Sequence, residues 1–251
     1  MAWPWRRSVS LVVGVLLLCA GYWTTLIWQT QLREENYRAT VSTLMTQLNI
    51  QAAHVREKTL AADAARVQQE MEWIKAYDAH EQGLRQWQQA LADRISQRYQ
   101  IAPQAALLLV QQSDRAARAH QIDPVLLMAV VAVESRFNPY VVSRVGAIGL
   151  TQTLPSAHPI KIQTMRDQGG SLINPKDNLH MGATILAEYL KMSHGNRVQA
   201  LQRYNGALKD RQARYAHKVL RVYDFLHVNL PAVPSLPTRP AQGEQLASIA
   251  G

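Results

Sequence analysis

Between Gly21 and Gly83 the chain contains neither Gly nor Pro, and between Pro4 and Pro103 no Pro at all. Those two residues are the usual interrupters of helices, and Gln, Ala, Glu, Arg and Leu, which favour helix, fill the stretch. Few places remain where it could stop being helical. Val41, Leu44, Leu48 and Val55 fall at steps of three, four and seven, as do Val67, Met71 and Ile74, then Leu84, Trp87 and Leu91. This is helical or heptad spacing, interrupted after two or three repeats. Two readings follow: a coiled-coil spacer, or a helical domain with its own core. As one rod it spans on the order of 100 Å at 1.5 Å per residue; with a turn near Gly83 it folds back to roughly half that.

Ahead of this stretch, Val9 to Trp28 carry no charge and follow Arg6 and Arg7. About twenty such residues cross a hydrocarbon core, and basic residues stay on the cytoplasmic side, so the chain is expected to run N-in with everything after Trp28 outside. Tyr22, Trp23 and Trp28 suit the outer interface. A cleaved signal peptide, cut after Ala20 or Gly21, is the alternative. Apolar character continuing through Leu26-Ile27-Trp28 favours a retained anchor, and Leu16-Leu17-Leu18-Cys19 lacks the small residue a lipoprotein signal wants before its cysteine. Either way the chain is exported.

The formal charge of +9 favours anionic partners, and it is unevenly spread. Residues 29–105 hold nine basic and nine acidic side chains, whereas 106–230 hold fifteen basic against eight acidic, a surplus of seven. No aromatic-basic interleave and no helix-turn-helix signature accompanies that surplus, so nucleic acid is not the expected partner. A single Cys19 excludes an internal disulfide framework, and the eight histidines form no HExxH or H-x-x-x-H pair, so no metal is expected. Pro231, Pro234, Pro237 and Pro240 recur at the three-residue period of polyproline II, so 231–251 reads as an extended, unpacked tail.

Chemistry concentrates in the basic half. Asp123-Pro124 opens a helix with an acidic N-cap and a Pro in the first turn, and Val125–Val133 is then apolar throughout. Asn138-Pro139 closes it, leaving Glu134 in the last turn. Burial among aliphatic side chains and the partial negative charge of a helix C-terminus both disfavour a carboxylate there, so its pKa is expected to rise, as a general acid requires. The competing reading has Glu134 facing water or pairing with Arg136. Downstream lie the loop Ser143–Gln152 with Gly146 and Gly149, a helix opened by Asn174-Pro175 and carrying Asn178 and Gly182, the cluster Tyr204-Asn205-Gly206, and a last helix over 211–228 with Tyr215, Val219, Val222 and Leu226 as its inward stripe. Gly182 inside a helix costs about 1 kcal/mol relative to Ala, which predicts close packing at that point.

Glu134-Ser135 with Phe137-Asn138-Pro139, then Ser143, Gly146-Ala147, Gly149-Leu150 and Gln152, then Asn174-Pro175 with Asn178 and Gly182, then Tyr204-Asn205-Gly206, in this order, resemble the lytic transglycosylase SLT domain, whose fold is similar to goose-type lysozyme. The resemblance covers about residues 104–228. It implies Glu134 as the sole catalytic carboxylate, with Ser143, Gln152, Tyr204 and Asn205 lining a glycan cleft. It also implies peptidoglycan as substrate, no cofactor, and service to an envelope-spanning machine for conjugation or secretion. Ordinary structural duties compete at each binding position: caps for Gln152 and Asn205, a half-buried core ring for Tyr204, a turn for Ser143. Two positions depart from the family pattern, Thr151 in place of the common Met and Ala207-Leu208-Lys209 in place of Ala-Gly-Pro-Gly; both bear on the shape of the sugar subsites.

An acid census points the same way. Between Asp123 and Asp167 the only acid is Glu134, so the motif block has no second carboxylate of the kind a two-carboxylate glycosidase uses. In the family the resemblance points to, the muramoyl C6 hydroxyl attacks its own anomeric carbon and leaves a 1,6-anhydro end. The expectation is an all-α protein with a transmembrane anchor (1–28), a helical or coiled-coil spacer (29–103), a lysozyme-like catalytic domain (104–228) and a disordered Pro-rich tail (229–251), facing outward from a bacterial inner membrane. Its rivals are a hydrolase whose second acid is Asp167 or Asp177, and a catalytically idle glycan-binding scaffold.

Overall fold

Four helices begin on a proline, whose fixed φ and missing N–H suit the first turn: Pro103, Pro124, Pro159 and Pro175. The computed structural model describes residues 5–240, with side chains from Val13 onward. Among them are seven α-helices: α1 (Trp5–Tyr99), α2 (Pro103–Ala119), α3 (Pro124–Glu134), α4 (Pro159–Asp167), α5 (Pro175–Met192), α6 (Arg197–Tyr204) and α7 (Arg214–His227). A single 3₁₀ turn spans Pro155–Ala157, and no strand occurs among the described residues, only bridges from Ile148 to Val142 and Thr153. The all-α class read from the sequence is the class observed. The anchor's first residues and tail residues 241–251 lie outside the described residues.

The helix predicted from Asp123 is the centre of the core. Asp123 accepts a hydrogen bond from the Val125 amide at 2.9 Å, a cap worth about 1 kcal/mol. Every residue from Val125 to Ala132 is buried, each large aliphatic side chain contributing about 1.5–3 kcal/mol. Around α3 stand α7, which brings Ala216, Val219 and Leu226, and α2, which brings Ala106, Val110 and Ala117; α5 packs on α2 and α6. The helix stops earlier than Asn138-Pro139 predicts. Arg136 and Phe137 take left-handed backbone, φ 51° and 67°, at about 1–2 kcal/mol each. Burial of the Phe137 ring, edge-on to Tyr99 at 4.8 Å, holds that hook in place.

Two compact units divide the chain, Met1–Glu72 with Pro240–Gly251, and Trp73–Arg239. In the first, the helix from Val13 onward carries an apolar window long enough to cross a membrane, with no part of that window buried. Leu44, Leu48, Val55, Val67 and Met71 of the interrupted seam are exposed there. The second unit begins at Trp73, and Trp87, Leu91, Ala92 and Ile95 of α1 belong to the same hydrophobic core as α3.

Gly83 does not break α1. A Cβ at Gly83 would stand 2.5 Å from Pro234 Cδ, so the glycine is where the returning tail crosses the helix. Residues 231–239 form no helix or strand and are not buried, yet several of them touch α1. His80 Nδ1 lies 2.6 Å from Pro234 O, Trp73 Nε1 donates to Pro237 O at 3.3 Å, and Arg239 stacks over the Trp73 ring at 5.1 Å. Leu230 and Val233 join the edge of the core. Sequence reasoning missed this because alternating prolines announce an extended chain and say nothing of the groove that receives it.

Candidate active site

Glu134 is the last residue of α3, half-buried at the edge of the core. Its pKa is raised, chiefly because burial disfavours the charge; a hydrogen bond from Tyr215 and the field of Lys218 oppose the rise. Tyr215 Oη donates to Glu134 Oε1 at 2.5 Å. Burial and the neighbouring carboxyl push the Tyr215 phenol well above its ordinary range, so it remains a proton donor in that bond. Arg136, the rival partner in the sequence, turns instead over the Tyr99 ring, 6.0 Å from its centroid.

The loop after α3 is pinned by a single side chain. Asn178 on α5 accepts from the Thr151 amide at 2.9 Å and from Thr151 Oγ1 at 2.7 Å, while its Nδ2 donates to Ile148 O and Leu172 O, both at 2.9 Å. Gly149, at φ 79°, lies so close to this amide that a Cβ would meet Asn178 Nδ2 at 2.2 Å. Gly182 gives the close approach expected of it: a Cβ there would stand 2.4 Å from Thr151 Cγ2. Thr151 is therefore accommodated by Asn178 and Gly182, which explains how the departure from the family's Met is absorbed.

All five residues singled out in the sequence line one cavity of about 370 Å³: Glu134, Ser143, Gln152, Tyr204 and Asn205. The structural duties foreseen are present for Ser143, Tyr204 and Asn205, whereas Gln152 caps no helix and ties the loop instead. Ser143 Oγ accepts from the Ala147 amide at 3.0 Å, closing a turn. Gln152, at φ 49°, donates from Nε2 to Val141 O and Gly149 O, both at 3.0 Å. Tyr204 Oη donates to Thr151 O at 2.9 Å, and burial together with the nearby Glu134 raises its pKa. Asn205 caps the C-terminus of α6. Structural and cleft-lining duties thus coincide in the same side chains.

Sequence reasoning missed Tyr215 as a partner of Glu134, together with Arg203 and the aromatic wall. Tyr189 meets Tyr204 edge-on at 6.4 Å, and His158 stands 6.3 Å from Tyr189. The signal for Tyr215 was available: a Tyr on a buried stripe must find a partner for its hydroxyl, where Leu or Phe need not. Two roomier cavities, about 540 and 700 Å³, lie elsewhere. In the first, Asp177 accepts from the Ser171 amide; in the second, Asp114 is tied to Gln88 and Arg118. Among the described residues Glu134, whose pKa is raised, is the only acid lining the smaller cavity.

The site is thus a half-buried acid at a helix end in a cleft walled by Tyr, His and amide side chains. Residues 111–219 match the family model of the transglycosylase SLT domain. Over 80 residues the chain is 39% identical to endo-type membrane-bound lytic murein transglycosylase A of Klebsiella pneumoniae, covering 30% of this chain and 39% of the relative. Membrane-bound lytic murein transglycosylase C of Actinobacillus pleuropneumoniae is 32% identical over 121 residues, 43% of this chain and 31% of the relative. The chain thus spans well under half the length of the curated relatives it matches. The crystal structure of the 70 kDa soluble lytic transglycosylase of Escherichia coli is similar at 22% identity and a TM-score of 0.44, over 51% of this chain and 25% of that one.

Proposed function

We propose that the chain is a membrane-anchored peptidoglycan lytic transglycosylase, cleaving the β-1,4 bond between N-acetylmuramoyl and N-acetylglucosaminyl units without water. The observation that carries this is Glu134, a carboxyl whose pKa is raised by burial, in a cleft lined by no second acid among the described residues. Glu134 gives its proton to the leaving glycosidic oxygen as the C1–O bond breaks. The muramoyl C6 hydroxyl then bonds to C1, and the Glu134 carboxylate takes the hydroxyl's proton, which restores the starting acid. Tyr215 holds the carboxyl through both transfers, and intramolecular attack provides the effective concentration that dispenses with a second carboxylate. Ser143, Gln152, Tyr204 and Asn205 position the glycan.

The hydrolytic alternative requires a second acid, and the two candidates are occupied elsewhere. Asp177 lines a different cavity, and Asp167 accepts from Gln163 at 2.7 Å on α4. The exposed apolar stretch Val13–Trp28 supports a single-pass anchor in the inner membrane with the remainder outside, so protease is expected to reach the chain only from that side. A secretion or conjugation machine as client rests on the sequence resemblance. A mass spectrum of peptidoglycan digested by the full chain tests the reaction: anhydromuramoyl ends are expected, and ordinary reducing ends would replace this reading with a muramidase. Binding without any turnover would leave a scaffold.

A further inference from the structure

Arg203 brings to the cleft a positive charge that the protein leaves without a counterpart. It lies on α6 beside Tyr204 and lines the cavity with Glu134, Tyr189 and Asn205. Its Nε is buried with no hydrogen-bond partner, and its guanidinium makes no ion pair among the described residues. Three other cations of the domain are engaged: Lys161 with Glu188 at 2.7 Å, Arg214 with Asp210 at 3.1 Å, Arg197 with Asp123 at 3.4 Å. Glu134 is no counterpart either, since its hydrogen bond comes from Tyr215 and the cation whose field it feels is Lys218.

A guanidinium is always charged and offers five donors in a planar fork that matches a carboxylate. Holding one in a partly buried cleft without an acceptor is unfavourable in the free protein, and a carboxylate arriving with the ligand relieves that cost. A purely neutral sugar would leave it in place. We infer that Arg203 is the anion contact of this cleft and that the glycan it takes carries a carboxylate beside the sugar bound there. This rests on the peptidoglycan reading above, and it narrows the substrate class. Two sources share the chemistry: the lactyl carboxylate of muramoyl units whose peptide has been removed, and the carboxylates of the peptide where it remains.

The test is cosedimentation of the full chain, in detergent micelles and carrying Glu134→Gln so that nothing is cleaved, with insoluble cell wall in three forms: peptide-bearing, amidase-stripped, and carbodiimide-amidated so that its carboxylates are neutral. Arg203→Gln is expected to weaken binding to carboxylate-bearing wall by about tenfold or more, the scale of a lost charge-assisted hydrogen bond. Amidation should weaken binding of the Arg203 protein to the same level. Arg203→Lys keeps the charge without the fork and should fall between; it carries the test if thermal melting shows the Gln variant unfolded. Loss on stripped wall assigns the lactyl carboxylate, and loss confined to peptide-bearing wall assigns the peptide. An Arg203→Gln effect that is equally large on amidated wall, or absent on every wall, overturns the inference and leaves the lytic reading standing. Carboxylate-dependent binding through Arg203 by a wild-type protein that never cleaves would overturn the lytic reading and leave this one.

Discussion

Tyr215 Oη stands 2.5 Å from Glu134 Oε1, joining the first turn of the last helix to the end of the most buried one. The bond fixes one carboxyl oxygen and leaves the other for the ligand. It also lowers the Glu134 pKa against the larger raising effect of burial.

Removing that hydroxyl should therefore loosen the acid and raise its pKa further. Tyr215→Phe is expected to lower kcat/KM by about tenfold to a hundredfold, the scale of a misplaced catalytic group. The descending limb of the pH–rate profile, where the acid loses its proton, should move to higher pH. Stability should fall by about 1–3 kcal/mol for a buried group left unpaired. A pH–rate profile unchanged from wild type would show that the tyrosine acts only in packing.

Glu134 also sets a pH dependence of stability. Its folded pKa lies above the ordinary 4.5, so the protonated form suits the fold and the charged form does not. The advantage of the protonated acid is complete below the unfolded value and is lost as pH rises through the raised folded value. Glu134→Gln cannot ionise. Its melting temperature is expected to match wild type near pH 4 and to exceed it increasingly toward neutrality, as scanning calorimetry can record. A gap that is flat with pH, or that opens on acidification, would mean the carboxyl is not destabilised by burial.

Gly182 sets two effects against each other. Ala in a helix gains about 1 kcal/mol over Gly, whereas an added methyl 2.4 Å from Thr151 Cγ2 overpacks the site by about 1–3 kcal/mol. Overpacking should win, giving net destabilisation in urea unfolding. Activity should fall further than stability, because Thr151 is held by Asn178 and in turn accepts the Tyr204 hydroxyl. A stabilised Gly182→Ala variant would show that the loop yields freely.

Much of this domain was legible in the sequence. Asp123-Pro124 and the unbroken aliphatic run after it define the buried helix because capping and burial are local signals, and Glu134 follows as the polar residue that run must end on. Gly182 was legible as a close approach. What escaped was long-range. Gly83 looks like a turn until Pro234 is seen crossing it, and Trp87, Leu91 and Ile95 look like spacer until they are seen in the same core as α3. Tyr215 lies 81 residues from Glu134, and no periodicity relates them.

The account stands or falls on whether water enters the product. Digesting peptidoglycan in ¹⁸O-labelled water with the full chain, and reading the muramoyl ends by mass spectrometry, tests this directly. Anhydro ends free of label are expected, with Glu134→Gln leaving almost no ends of either kind, since each proton-transfer role is worth about 10²–10⁴-fold. Reducing ends carrying ¹⁸O, or a Gln variant that cleaves as wild type does, would contradict it.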